Sequence, residues 1–178
     1  MISVDQHGDP NYPIRMKKLV ILVLVVLLAA AVGGFALKGT PNLAIGAALT
    51  SVNFDGVGAE LALHIPKIPL FFGIGLASLQ DFTNPTVTLN VDYWLMHRHL
   101  VSIFELYVGL GLHGAMAFDP SWYAAGLRLP IGLQAWVLKN ELLEVFLEAA
   151  PAWVPLVDGD FDPVNFQAQL ALGFRLWF

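Results

Sequence analysis

Seven charged residues stand inside otherwise apolar stretches of this 178-residue chain: Glu60, Asp92, Glu105, Arg128, Glu144, Glu148 and Arg175. Two chemistries suit such a set. Charges withdrawn from water neutralise one another as ion pairs, or a surplus of one sign lines a path for counter-ions. Five of the seven are acids, so a path here would prefer cations. His64 and His113 accompany them. His113 and Ser121, on either side of one turn, raise a third chemistry, nucleophilic catalysis by a hydroxyl. That reaction needs a base within hydrogen-bond reach of the hydroxyl and an acid behind the base, and no acid is placed for it. The run "DGDFD" spaces Asp158, Asp160 and Asp162 as at the start of a calcium loop. The loop's glycine and its twelfth-place Glu are missing, Gln169 standing at the latter. A solvated acidic loop is the simpler reading, a weak divalent-ion site the alternative.

The elements that must position these charges repeat with period two, the period of a strand. In "TVTLNVDYWLM" (86–96), Val87, Leu89, Val91, Tyr93 and Leu95 share one face, and Thr86, Thr88, Asn90 and Asp92 the other. The same alternation runs through 42–50, 57–65, 70–77, 104–113, 122–136, 142–149 and 165–178. That makes eight strands, each near the ~9–11 residues that a tilted strand needs to cross a bilayer. All seven charges fall opposite the apolar row. Folding the last two strands about the turn at 158–160 sets Glu144 opposite Arg175, and Arg128 is expected to meet Glu105 or Glu148. Pro130 and Pro151 lie within strands and donate no ladder hydrogen bond, so bulges are expected there.

The connections alternate in sign. Odd-numbered ones hold Asp55, Asp81, Asp119, Asp158, Asp160 and Asp162; even-numbered ones hold Lys67, Arg98 and Lys139, with Glu141 the one acid. An up-and-down meander puts the two sets at opposite ends. Closure into a barrel removes the unpaired edges. The apolar face carries no charge, and the other mixes Gly and Ala with a few large rings and the seven charges. A soluble barrel with its charged face outside would need a surface dense in Lys, Glu and Thr. The pattern therefore predicts an all-β, eight-stranded antiparallel transmembrane barrel, apolar outside and ionic within. Phe71, Trp94, Tyr107, Trp122, Trp136, Phe146 and Trp177 are expected to fill the lumen; Tyr93, Tyr123, Trp153 and Phe178 suit the interfacial girdles.

Composition agrees. The chain is 57% hydrophobic and 13% charged, against about 25% charged in soluble domains. One long apolar run, 19–36, lies near the start. Lys17 and Lys18 precede it and Gly34-Phe35-Ala36 follows, as in a secretory signal peptide with cleavage before Leu37; an uncleaved anchor helix is the alternative. Residues 1–15 fit no signal, so translation from Met16 is expected. The division is then 1–15 a non-native extension, 16–36 a signal peptide and 37–178 the barrel. The sequence has no Cys, which excludes disulfides and thiolate metal sites. No cofactor motif is present, and a net charge of −5 gives no support for nucleic-acid binding.

Over residues 16–178 the chain resembles the small eight-stranded outer-membrane barrels of Gram-negative-type bacteria, namely the OmpA membrane domain, OmpX and OmpW. Gly173, Leu176 and Phe178 match the terminal pattern of that group, while Ala171 stands where a polar residue is usual. The resemblance implies that these three residues form an assembly signal read by the barrel-assembly machinery. It also implies an outer-membrane location, with periplasmic termini and the acidic loops outside. The expected function is a structural or surface-interaction barrel, not an enzyme, its lumen plugged by an internal salt-bridge network. The alternatives are an OmpW-like channel for cations or small apolar solutes, and a barrel that modifies lipid A.

Overall fold

The computed structural model describes residues 42–77, 85–118, 121–138 and 141–178. The expected extension and signal segment lie outside the described residues, as do Asp81, Asn84, Asp119, Pro120, Lys139 and Asn140 of the expected turns.

Alternating side chains produce ten strands: β1 (Ala44–Val52), β2 (Asp55–His64), β3 (Leu70–Leu76), β4 (Thr86–Val101), β5 (Phe104–Phe118), β6 (Ser121–Arg128), β7 (Ile131–Trp136), β8 (Leu143–Val157), β9 (Asp160–Phe161) and β10 (Phe166–Trp177). All pairings are antiparallel. β6 and β7 both lie between β5 and β8, so they are two halves of one strand, and β9 is a two-residue extension of the hairpin beyond β8. Among the described residues the wall thus has eight strands. It closes where β1 pairs β10, from Ala44 opposite Trp177 to Val52 opposite Gln169. The last residue takes part, because Phe178 N donates to Leu43 O at 2.8 Å and Leu43 N to Phe178 O at 3.2 Å. The twelve residues of β10, rising ~3.3 Å each at a ~40° tilt, reach about 30 Å, the thickness of a bilayer's hydrocarbon core.

The apolar rows face outward. Ile45, Leu49, Leu61, Ile74, Leu147 and Leu172 are all exposed, Leu61 at 68%. So continuous an apolar surface suits hydrocarbon and not water.

The turn between β1 and β2 is a two-residue hairpin, Asn53-Phe54, with both φ angles positive at 53° and 61°. Asn tolerates that conformation and Phe does not readily do so. A second two-residue turn, at Ser102-Ile103, joins β4 to β5. The sequence placed Arg98 in that connection, yet it belongs to β4 together with its neighbours His97 and His99. An irregularity between Trp94 and Met96 inserts one extra residue, which resets the alternation and brings His97 opposite Tyr107 and His99 opposite Glu105. β8 likewise runs past Ala149 to Val157.

The prolines differ from the expected pattern. Pro130 interrupts the strand between β6 and β7, but its carbonyl still accepts from Gly109 N at 2.8 Å. Pro151 causes no bulge against β10, where the register runs unbroken through Ala168. Its carbonyl accepts from Leu129 N at 3.0 Å, so its missing donor faces the place where Pro130 has already broken the ladder. The bulge in this seam lies between Ala125 and Leu127, opposite Val154 and Pro155.

Candidate functional site: the barrel lumen

β8 sets two layers of charge. Glu144 and Glu148 point inward from the same face of this strand, four residues apart, roughly 13 Å along it at ~3.3 Å per residue.

The layer nearer the C-terminus is built on Glu144. Arg175, directly opposite it on β10, forms a buried ion pair with it, and Trp177 Nε1 donates to the same carboxylate at 2.8 Å. The Arg175 guanidinium lies over the Phe146 ring, 3.9 Å from its centroid. Beside it, Phe71, Trp94 and Tyr107 stack across β3, β4 and β5, with centroid separations of 3.9 Å and 4.2 Å. Rings and guanidinium reinforce one another, since a cation is attracted to an aromatic face. His64 completes the layer between Phe71 and Trp177 and donates from Nδ1 to the Asn42 carbonyl at 3.0 Å.

The next layer is built on Glu148. Arg128 pairs with Glu148 and reaches Asp92, Nε to Oδ1, at 3.3 Å. Tyr107 donates its hydroxyl to Glu148 at 2.6 Å, so one side chain ties the ring stack to the second layer. Glu60 accepts a hydrogen bond from Asn90, and Asn90 Oδ1 accepts from His113 Nδ1 at 2.8 Å. This chain of three crosses from β2 to β5. Thr50, Thr88 and Gln169 surround a cavity of about 30 Å³ beside Glu60.

Glycines make this packing possible. A Cβ on Gly111 would strike the Asp92 carboxylate, on Gly132 the Tyr107 ring, on Gly73 the Glu60 carboxylate, and on Gly173 the end of the Phe146 ring at 2.8 Å. Three of these pairs stand directly opposite one another in register: Asp92 with Gly111, Tyr107 with Gly132, and Phe146 with Gly173. The small residues of the inward face are therefore sockets for large ones on the next strand, and Gly173 has a packing reason to be Gly.

Of the seven charges read from the sequence, six fall into the two layers. Glu105 lies apart, accepting from Gln134 and from Trp136 Nε1, each at 2.9 Å, with His97 Nε2 at 2.8 Å. Arg128 meets Glu148 and not Glu105. His113 and Ser121 are not brought together. Gly126 stands opposite His113 and Ser121 opposite Phe118, five ladder positions further, roughly 16 Å of strand at ~3.3 Å per residue. Asp162 turns back on its own loop, Oδ1 accepting from Val164 N at 3.0 Å, and among the described residues no group of three His, Asp or Glu is placed to hold a metal ion. Asn90 and Gln134 complete the network, and Gln169 borders the cavity. Their signal in the sequence is an uncharged polar side chain at an inward position.

No family model matches the chain, and no curated protein sequence does. Among solved structures, Neisserial surface protein A superposes with a TM-score of 0.51 at 13% identity, over 77% of this chain and 96% of that one. The fold is that of a transmembrane β-barrel. A de novo designed transmembrane β-barrel gives a TM-score of 0.45 at 12% identity, over 78% of this chain and 97% of the design.

Proposed function

We propose that this chain is a small integral outer-membrane β-barrel that does not conduct, with a structural or surface-interaction role. The observation that carries the reading is the layer around Arg175. Eight strands enclose an interior just wide enough for side chains to fill, and here four rings and a guanidinium–carboxylate pair occupy one level of it. An ion on that path would meet a fixed positive charge and a ring stack at van der Waals distance. The outer-membrane location draws support from the barrel fold of Neisserial surface protein A. On this reading the acidic loops face outward, no catalysis is assigned, and Gly173, Leu176 and Phe178 serve recognition by the assembly machinery.

A second reading, a narrow cation conduit, draws on the surplus acid around Glu148. Planar-bilayer recording divides the two. The proposed function predicts a silent membrane with wild-type protein, and steps of conductance once Trp94→Ala thins the ring stack. Steady cation-selective current through the wild type would overturn it.

A further inference from the structure

The wall of the barrel is not equally tall all the way round. β1 has nine residues and β2 ten, whereas β5 and β8 have fifteen each. At ~3.3 Å per residue and a ~40° tilt, the first pair reaches about 23–25 Å along the barrel axis and the second about 38 Å. The chain itself sets the limits of the short pair. The Asn53-Phe54 turn closes one end beside exposed Asp55, and the turn that holds exposed Lys67 closes the other. β10, between β8 and β1, has twelve residues, so the height falls stepwise from β8 through β10 to β1. In ring order, β1 and β2 stand across the barrel from β5 and the β6–β7 strand.

The apolar rows follow the same inequality. Exposed large apolar side chains run from Val57 to Leu63 on β2, but from Phe104 to Met116 on β5 and from Tyr123 to Leu133 across β6 and β7. A flat hydrocarbon layer has one thickness, about 30 Å, which exceeds the first face and falls short of the second. A single helix relieves such a mismatch by tilting. A closed wall cannot, because tilt turns both rims through the same angle and levels one only by steepening the other. Deformation of the lipid remains. A second copy of the chain fits the short face less well than lipid does. This face is hollow, with about 880 Å³ over Ala47 and Ala59 between Leu49, Leu61 and Phe174. A two-fold contact would set that hollow against its own copy and enclose a void, whereas fluid acyl chains fill it.

We infer that the β1–β2 face thins the membrane beside it and gathers phospholipids with short acyl chains, while the β5–β7 face gathers long ones. A short chain meets the short wall uncompressed, and each ångström of mismatch is unfavourable. The inference rests on the transmembrane fold and is independent of whether the lumen conducts.

The sequence has no Cys, so a single fluorophore can be placed on either face. Leu61→Cys on β2 and Leu110→Cys on β5, each labelled with bimane, are refolded as full-length protein into vesicles. The vesicles contain dilauroyl- and dibromostearoyl-phosphatidylcholine in equal amounts. Bromine quenches on contact, so quenching reports how much of the long lipid touches each face. Each value is normalised to vesicles of the brominated lipid alone. The expected result is about twofold less quenching at Leu61→Cys than at Leu110→Cys. Equal or greater normalised quenching at Leu61→Cys would overturn the inference. So would a Leu61→Cys label that bromine fails to reach in the pure brominated lipid, because protein would then cover that face. Should either variant fail to refold, Leu49→Cys and Leu133→Cys report on the same two faces and are read in the same way.

Discussion

Around Glu144 every formal charge has an opposite partner and the remaining volume is filled by aromatic rings, whereas around Glu148, four residues further along the same strand, acids outnumber bases three to one and a cavity opens. Both layers are buried. Their difference teaches what an eight-stranded interior does with ions. Where rings fill the space, charges come in matched pairs; where a cavity remains, acids outnumber bases. The first layer is a structural core turned inside out, and the second is an acidic vestibule.

The contrast breaks most visibly at Arg175. Replacing it by Met leaves Glu144 charged and enclosed, and should lower stability by about 3–5 kcal/mol, measured by urea titration in lipid vesicles. The double change Arg175→Met with Glu144→Leu should recover most of that loss, because an apolar pair suits this dry layer. Gly132→Val drives a side chain into the Tyr107 ring, and should cost about 1–3 kcal/mol in the same assay. Combining it with Tyr107→Leu should give a smaller loss than the two changes summed. The same chemistry in the vestibule should matter far less. Asp92→Asn removes a surplus acid and is expected to stay within about 1 kcal/mol of the wild type, while Glu144→Gln is not. An equal loss for both would erase the distinction between the layers. The smallest effect lies at the rim, where Phe54→Gly relieves a positive φ and should stabilise by up to about 1 kcal/mol.

Much of this arrangement is legible in the sequence because period two is a hard geometric rule. Once the apolar row is assigned to one face, Glu60, Asp92, Arg128 and Arg175 must face the other, and counting back from the hairpin at 158–160 puts Arg175 opposite Glu144. The rule fails where the backbone departs from it. The extra residue at Leu95 shifts the alternation by one, so His97 and His99 read as a polar turn although they continue β4 and face Tyr107 and Glu105. Pro151 reads as a defect, because its neighbour across the seam, Leu129 beside Pro130, is visible only once the strands are side by side. The sockets are hidden for a similar reason. A glycine announces room, but which side chain fills that room depends on register across strands, and local pattern carries no such information.

The bond between Leu43 and Phe178 has a consequence for how the molecule comes into being. A wall that is a ring has no partly finished form with satisfied edges. Until the tail meets the head, two raw strand edges remain, and each would pair with a neighbouring molecule as readily as with its own far end. Among the described residues the contacts that seal it are also the most distant in sequence, and such contacts are the slowest to form. Loss of a few residues at the tail would therefore harm the making of this protein more than their small share of its contacts suggests.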